Sequence, residues 1–290
     1  MLRRNAALTD LQLVGMNLGD GDLSLVARAI EGHQTLMSLN VSRNTFRAPG
    51  IMDLMSMARL VPTLREVDLV FYSLNSEALA ILTIRLLGNK TVQKLDLSGN
   101  EIDDASAILF GSLLSGNEDL KTLGMDKCNL SSAGSTSIVA GLVSNIALDK
   151  FVAFENPRID DSALETYLKL VRANKGPKKV VLVIANETSL VNDDLAADFA
   201  LALQRNTKLR HFTFGMVSFP GLRSIFNGLP DTKLRELDIF YKDLDGFTSE
   251  DMARLVQSVK ENTSICSLLG ITQIQQMRRL AKKTLYWSTI

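Results

Sequence analysis

Residues 94–102 read KLDLSGNEI, and residues 120–130 read LKTLGMDKCNL. Leucine-like residues fall at the same offsets in both. The shared pattern, L-x-x-L-x-L-x-x-N/C-x-L, opens at Leu8, Leu36, Leu64, Val92, Leu120, Leu148, Val180, Leu209, Leu234 and Ile265. The first six openings are 28 residues apart; the next spacings are 32, 29, 25 and 31. A fixed period of this size marks a chain built by stacking copies of one small unit.

Each unit has a strand half and a helix half. Leu95 and Leu97 alternate with polar residues, which predicts a short strand with one buried face. Such a strand pairs in parallel with its neighbours while a helix returns the chain. In DDASAILFGSLLSGN (103–117) the spacing predicts a helix burying Ile108, Leu109, Leu113 and Leu114. Helix-starting residues recur at Asp103 and Asp104, Ser131 and Ser132, Asp160 and Asp161, and Asp193 and Asp194. Asn89, Asn117, Asn145, Asn206 and Asn262 each stand three residues before the next opening. Asparagine tolerates the left-handed conformation, so these residues are expected to end the helices that way. His33, Val61 and Asp231 take that slot elsewhere. KGPKK (175–179) reads as an inserted surface loop, and the apolar run in KKVVLVIA (178–185) as a buried strand.

The pattern resembles leucine-rich repeats of the ribonuclease-inhibitor-like class over nearly the whole chain. The resemblance implies an α/β solenoid, a horseshoe arc of about nine to ten repeats, with a concave parallel sheet and outer α-helices. It implies one domain over residues 1–290. It also implies that Asn44, Asn100, Cys128 and Asn156 bond backbone groups in the turn after each strand, a ladder broken at Met16, Tyr72, Val217 and Lys242. Asn5 stands in the helix-end slot of a missing unit, so flanking repeats or a partner are expected to cover the N-terminal end. At the other end, residues of about 272–287 read as a capping helix with Ile274, Met277, Leu280, Ala281 and Leu285 on its apolar face.

Thirty-two basic and thirty-two acidic residues cancel, so no global field points to nucleic acid or an anionic membrane. There is no run of apolar residues long enough to span a membrane. Two cysteines make no disulfide framework, and a cytoplasmic setting is expected. The glycosylation patterns at Asn89, Asn186 and Asn262 are discounted, since two coincide with helix-end asparagines.

Catalytic chemistry finds little support. His33 and His211 lie in distant repeats, and no zinc spacing is present. GMNLGDGD (15–22) lacks the ligands of a calcium loop and the Lys-Ser/Thr ending of a phosphate loop, so it reads as a turn with Asp20 or Asp22 as helix cap. No cofactor and no metal are expected.

Partner binding is the remaining class. Outward strand positions place Glu66, Asp68, Asp96 and Asp126 in an acidic stretch, softened by Lys94 and Lys127. Phe71, Phe154, Phe240 and Tyr241 put aromatics where the repeat does not require them, with Glu155 beside Phe154. The expected function is a non-catalytic interaction module or scaffold, with Asp68, Phe71, Asp96, Asp126, Phe154, Glu155, Phe240 and Tyr241 meeting a protein. Repeats of this kind are also similar to those of the Ran GTPase-activating protein and of tropomodulin, which would imply a GTPase regulator or an actin capper. A ribonuclease inhibitor is disfavoured, because that family is cysteine-rich and acidic.

Overall fold

The computed structural model describes residues 5–70, 74–156, 158–182, 191–241 and 248–271, with backbone alone at 214, 216, 241 and 269–271. The chain divides into two compact units, Met1–Val152 and Ala153–Ile290. The first holds β1 (Asp10–Gln12), α1 (Asp20–Ile30), β2 (Ser38–Asn40), α2 (Ala48–Ala58), β3 (Glu66–Asp68), α3 (Ser76–Leu86), β4 (Lys94–Asp96), α4 (Asp104–Gly116), β5 (Thr122–Gly124), α5 (Ser132–Ser144) and β6 (Lys150–Val152). Its strands pair in chain order and in parallel, each residue opposite the one 28 positions on, as Asp68 is opposite Asp96. The second holds α6 (Asp161–Arg172), β7 (Lys179–Leu182), α7 (Asp193–Arg205), β8 (His211–Val217), α8 (Phe219–Gly228), β9 (Glu236–Tyr241), α9 (Ser249–Glu261) and β10 (Ser267–Ile271). Its strands are likewise parallel and in chain order.

Alternation along each strand decides what is buried. Leu36, Leu39, Val41, Leu64, Val67, Leu69, Leu95 and Leu97 point towards the helices and are fully buried. The helices meet them with one face. In α4 that face is Ala107, Phe110, Gly111, Leu113 and Leu114, while Ile108 and Leu109 face out. The expected burial of Ile108 and Leu109 is therefore not met. The i, i+3, i+4, i+7 stripe instead runs through Ala107, Phe110, Gly111 and Leu114, which allows α5 to come close.

Two ladders of side chains tie successive repeats together. After the strands, Asn44 Nδ2 donates to Val41 O at 2.7 Å and Leu13 O at 2.8 Å, and its Oδ1 accepts from Leu18 N at 3.0 Å. Asn100 repeats this with Leu97 O, Leu69 O and Leu74 N, and the Cys128 thiol donates to Leu97 O at 3.3 Å. Burial pushes the Cys128 thiol well above its usual value, so it is an inert ladder member. Where Val217 replaces the asparagine, β8 runs on for seven residues. Tyr72 and Lys242 lie outside the described residues.

The second ladder corrects an expectation. Asn117, Asn145, Asn206 and Asn262 close their helices with φ between −72° and −84°, in extended rather than left-handed backbone. Their side chains act instead. Asn145 Oδ1 accepts from Ala147 N at 2.9 Å and Leu148 N at 2.6 Å, while Nδ2 donates back to Leu114 O and Asn117 O. His33 takes the same slot, its Nδ1 accepting from Thr35 N at 3.3 Å and Leu36 N at 3.0 Å. Asn89 and Asn262 are buried in this ladder, which leaves no room for a glycan on either.

Helix starts are capped as expected by Asp103, Ser131 and Asp160, and also by Asn75, Asn192, Ser218 and Thr248. Asp20 differs. It caps the next helix, with Oδ1 accepting from Arg47 N at 2.7 Å and Gly50 N at 3.1 Å. Asp22 closes its own helix start on Gly19 N.

The seventh repeat is registered differently from the sequence reading. Lys179 pairs with His211 and Val180 with Phe212. His211 stands two residues after the opening Leu209, so Pro177, not Val180, opens this repeat. Every residue of the run VVLVI is apolar, so the pattern fits in more than one register, and strand pairing alone selects one. The long spacing therefore follows β7, not the KGPKK segment. The proposed capping helix at 272–287 lies outside the described residues.

Candidate functional site

The sheet face turned away from the helices carries the candidate residues. In the first unit, Glu66 and Asp68 of β3 lie opposite Lys94 and Asp96 of β4. Lys94 Nζ reaches Glu66 Oε2 at 3.1 Å. Asp68 is set between these groups, and its Oδ1 is buried with no hydrogen-bond partner. Burial pushes the Asp68 carboxyl up to about 6; Lys94 pulls the other way, and Asp96 and Glu66 add to the rise.

Asp96 and Asp126 are more enclosed than the sequence reading implied, at 6% and 4% exposure. Asp96 Oδ1 accepts from Ser98 N at 2.9 Å, and Ser98 Oγ accepts from Asp126 N at 3.1 Å. Gly124 makes room, since a Cβ there would lie 2.7 Å from Asp96 Oδ1. The Asp96 carboxylate therefore braces the turn after β4, Asp126 is tied in through its backbone amide, and Glu66 and Asp68 are the more accessible part of the strip.

The aromatic anchors also need correction. Phe154 and Phe240 are nearly fully buried and meet edge to face, with ring centroids 6.3 Å apart. Phe71 and the Tyr241 side chain lie outside the described residues. Glu155 occupies the seventh position after its repeat opening, where Gly15, Arg43, Gly99 and Lys127 also take positive φ. Its placement follows from that turn.

The second unit brings together residues that sequence reasoning did not join. His211 Nε2 lies 3.0 Å from Asp238 Oδ2 and 3.1 Å from Thr213 Oγ1, and Nδ1 lies against the Glu236 carboxylate. Lys179 pairs with His211 along the same row. Burial pulls the Lys179 ammonium below its ordinary value, opposed by Glu236 and Asp238. The signal was legible for β8 and β9, where His211 and Glu236 share an offset. The misplaced seventh opening hid Lys179.

A surface cleft of about 360 Å³ lies between α6 and α7, crossed by the Arg172–Asp198 ion pair at 2.9 Å. Its acidic side holds Asp161, whose carboxyl is raised by burial, Asp160 and Glu165. Among the described residues, no group of three His, Cys, Asp or Glu side chains could hold a metal ion. No helix of the described residues is long and apolar enough to cross a membrane.

A family model described as Leucine Rich repeat matches residues 32–55 and 88–111. The pig ribonuclease inhibitor is 27% identical over 271 residues, which is 93% of this chain and 53% of that protein. Together with the parallel strands in 28-residue register, these matches show leucine-rich repeats, and the chain is similar to the ribonuclease-inhibitor-like class. The human Centrosomal protein of 78 kDa is 26% identical over 174 residues, or 60% of this chain and 24% of that protein. A solved Caenorhabditis elegans tropomodulin C-terminal domain matches at 14% identity and a TM-score of 0.38, covering 80% of this chain and 98% of that one. So low a score has no bearing on function. The chain spans between 18% and 53% of the length of the first curated relatives it matches.

Proposed function

We propose that this leucine-rich-repeat chain is a non-catalytic, cytoplasmic protein-binding module that takes a basic segment of a partner protein on the helix-free face of its first unit. Asp68 carries the reading. A carboxylate that is costly to ionise, with one buried oxygen lacking a hydrogen bond, stands between Glu66 and Asp96. Lys94, the cation beside it, is engaged by Glu66. A fold optimised for stability alone would not keep that group, whereas a binding face gains from it when a cation arrives. The ribonuclease inhibitor, by its name, acts on another protein, and that supports the class of function without naming this partner. Glu66 and Asp68 form the contact, and the Asp96 carboxylate, bonded to Ser98 N, holds its shape. The free thiols of Cys128 and Cys266 support the cytoplasmic setting.

The test is affinity capture from lysate by the purified chain, in parallel with Asp68→Asn and Glu66→Gln, followed by titration of each captured protein. Supporting the proposal requires a directly binding protein whose affinity falls at least tenfold in Asp68→Asn and declines with added salt. Equal affinity of wild type and both variants for every captured protein would overturn it.

A further inference from the structure

The outward face of α3, α4 and α5, opposite the sheet, is apolar and uncharged at its centre. No charged residue occurs at 78–84, 105–117 or 128–148. On α3, Ile84 is 59% exposed and Leu87 60%; on α4, Ile108 is 54% exposed. Single exposed apolar residues are ordinary, but these stand on helices that pack side by side. The 28-residue register sets Ile108 beside Ala80 and Leu109 beside Ile81, and α5 continues the face with Thr136 and Ala140. By contrast, α6 and α9 turn Glu165, Lys169, Glu250 and Arg254 outwards. A connected apolar patch of this kind marks a contact surface.

The charges at its two ends indicate what covers it. α3 begins with the exposed Glu77 and has Arg85 in its last turn. Arg59 closes α2, and its guanidinium carbon lies 3.9 Å from where a Cβ on Gly88 would stand, at the far end of α3. Among the described residues, none of Glu77, Arg59 and Arg85 is in an ion pair. The face is therefore acidic at one end, apolar in the middle and basic at the other. Turned by a two-fold rotation about its middle, near Ile81 and Ile84, it is its own complement. Glu77 then meets Arg59 and Arg85 of a second copy, the helix dipoles run antiparallel, and the apolar side chains close on one another. An anionic membrane would suit only the basic end.

We propose that the outward face of α3, α4 and α5 is a two-fold self-association surface, occupied by a second copy of this chain. Three helices about 16–20 Å long and about 10 Å apart present roughly 500 Å². Twice that area is in the range of a weak, reversible interface, not an obligate one. The helix-free face takes no part in this contact, so the proposal stands apart from the protein-binding reading above.

The experiment is sedimentation velocity of the full chain over a concentration series reaching about 0.5 mM. Wild type should pass from monomer to dimer and go no further, because a two-fold interface closes on itself. Ile84→Lys, at an exposed position outside the core, should keep the wild-type circular dichroism and weaken dimerisation at least tenfold. Glu77→Arg makes both ends basic, and Arg59→Glu with Arg85→Glu makes both acidic; each chain alone should dimerise about tenfold more weakly. An equimolar mixture of those two chains should associate as well as wild type, because their ends now match. A wild type that stays monomeric throughout would overturn the proposal. So would a dimer that a folded Ile84→Lys chain forms equally well, or a mixture that associates no better than its components. Capture of the monomer by phosphatidylserine vesicles without dimerisation would assign the face to a membrane and overturn it too.

Discussion

Phe154 and Phe240 pack edge to face, 6.3 Å between centroids and 63° between planes, across the two strands β7 and β8. Ala153 N bonds Val181 O beside β7, and β8 lies between β7 and β9. The corresponding position on β8 is Gly215, which puts no side chain between the rings. The pair thus links repeats that are not neighbours.

Truncating either ring should therefore be a packing mutation. Phe240→Ala is expected to cost about 3 kcal/mol. Phe154→Ala should cost similarly, and the double variant should fall short of the sum by about 1 kcal/mol, the share of the edge-to-face contact. Urea unfolding of the four chains measures this. Strict additivity would mean that the rings do not support one another.

Asp68 should make stability depend on pH. Its carboxyl titrates at 3.8 when unfolded and at about 6 when folded, so between those values the folded state holds more protons. The contribution is complete below 3.8 and is lost as pH rises through about 6. Asp68→Asn should remove that slope and be more stable than wild type at pH 7, by on the order of 2 kcal/mol. Parallel pH-stability curves for the two chains would refute this.

Close approach of α4 and α5 depends on two glycines. A Cβ on Gly141 would lie 2.2 Å from Gly111 O, and one on Gly111 would lie 2.2 Å from Ser137 O. These are backbone atoms, so the helices must separate. Gly141→Ala is expected to destabilise the first unit by about 1–3 kcal/mol, although alanine favours an isolated helix. Gly116, with open space around its Cβ, is the control: Gly116→Ala should be neutral or mildly stabilising. Thermal unfolding of both variants separates packing from propensity.

Asn145 joins repeats through four side-chain hydrogen bonds, two forward and two back. Asn145→Ala leaves buried amides and carbonyls without partners, at a cost of roughly 2–4 kcal/mol. Asn145→Gly should not rescue it, because the backbone is extended and the side chain does the joining. Rescue by glycine, measured by amide exchange at Leu148 and by unfolding, would restore the left-handed reading.

The repeat, its period, the strand positions and the asparagine slots were legible in the sequence, because local alternation and fixed spacing are one-dimensional properties. Leu95, Leu97 and Asn100 could be assigned from neighbours in the chain alone. The sequence also selected Glu66, Asp68, Asp96 and Asp126, since equal offsets in parallel repeats become neighbours. Tertiary structure decided the rest. It showed which carboxylates are enclosed, because burial depends on what lies opposite and not on residue type. It turned Phe154 and Phe240 from expected anchors into each other's partners. It set the register of β7, where a uniformly apolar run fits several alignments and only hydrogen bonding to β8 selects one. Lys179 joined the row of His211 and Glu236 only through that pairing, since strand neighbours are fixed by register and not by nearness in sequence.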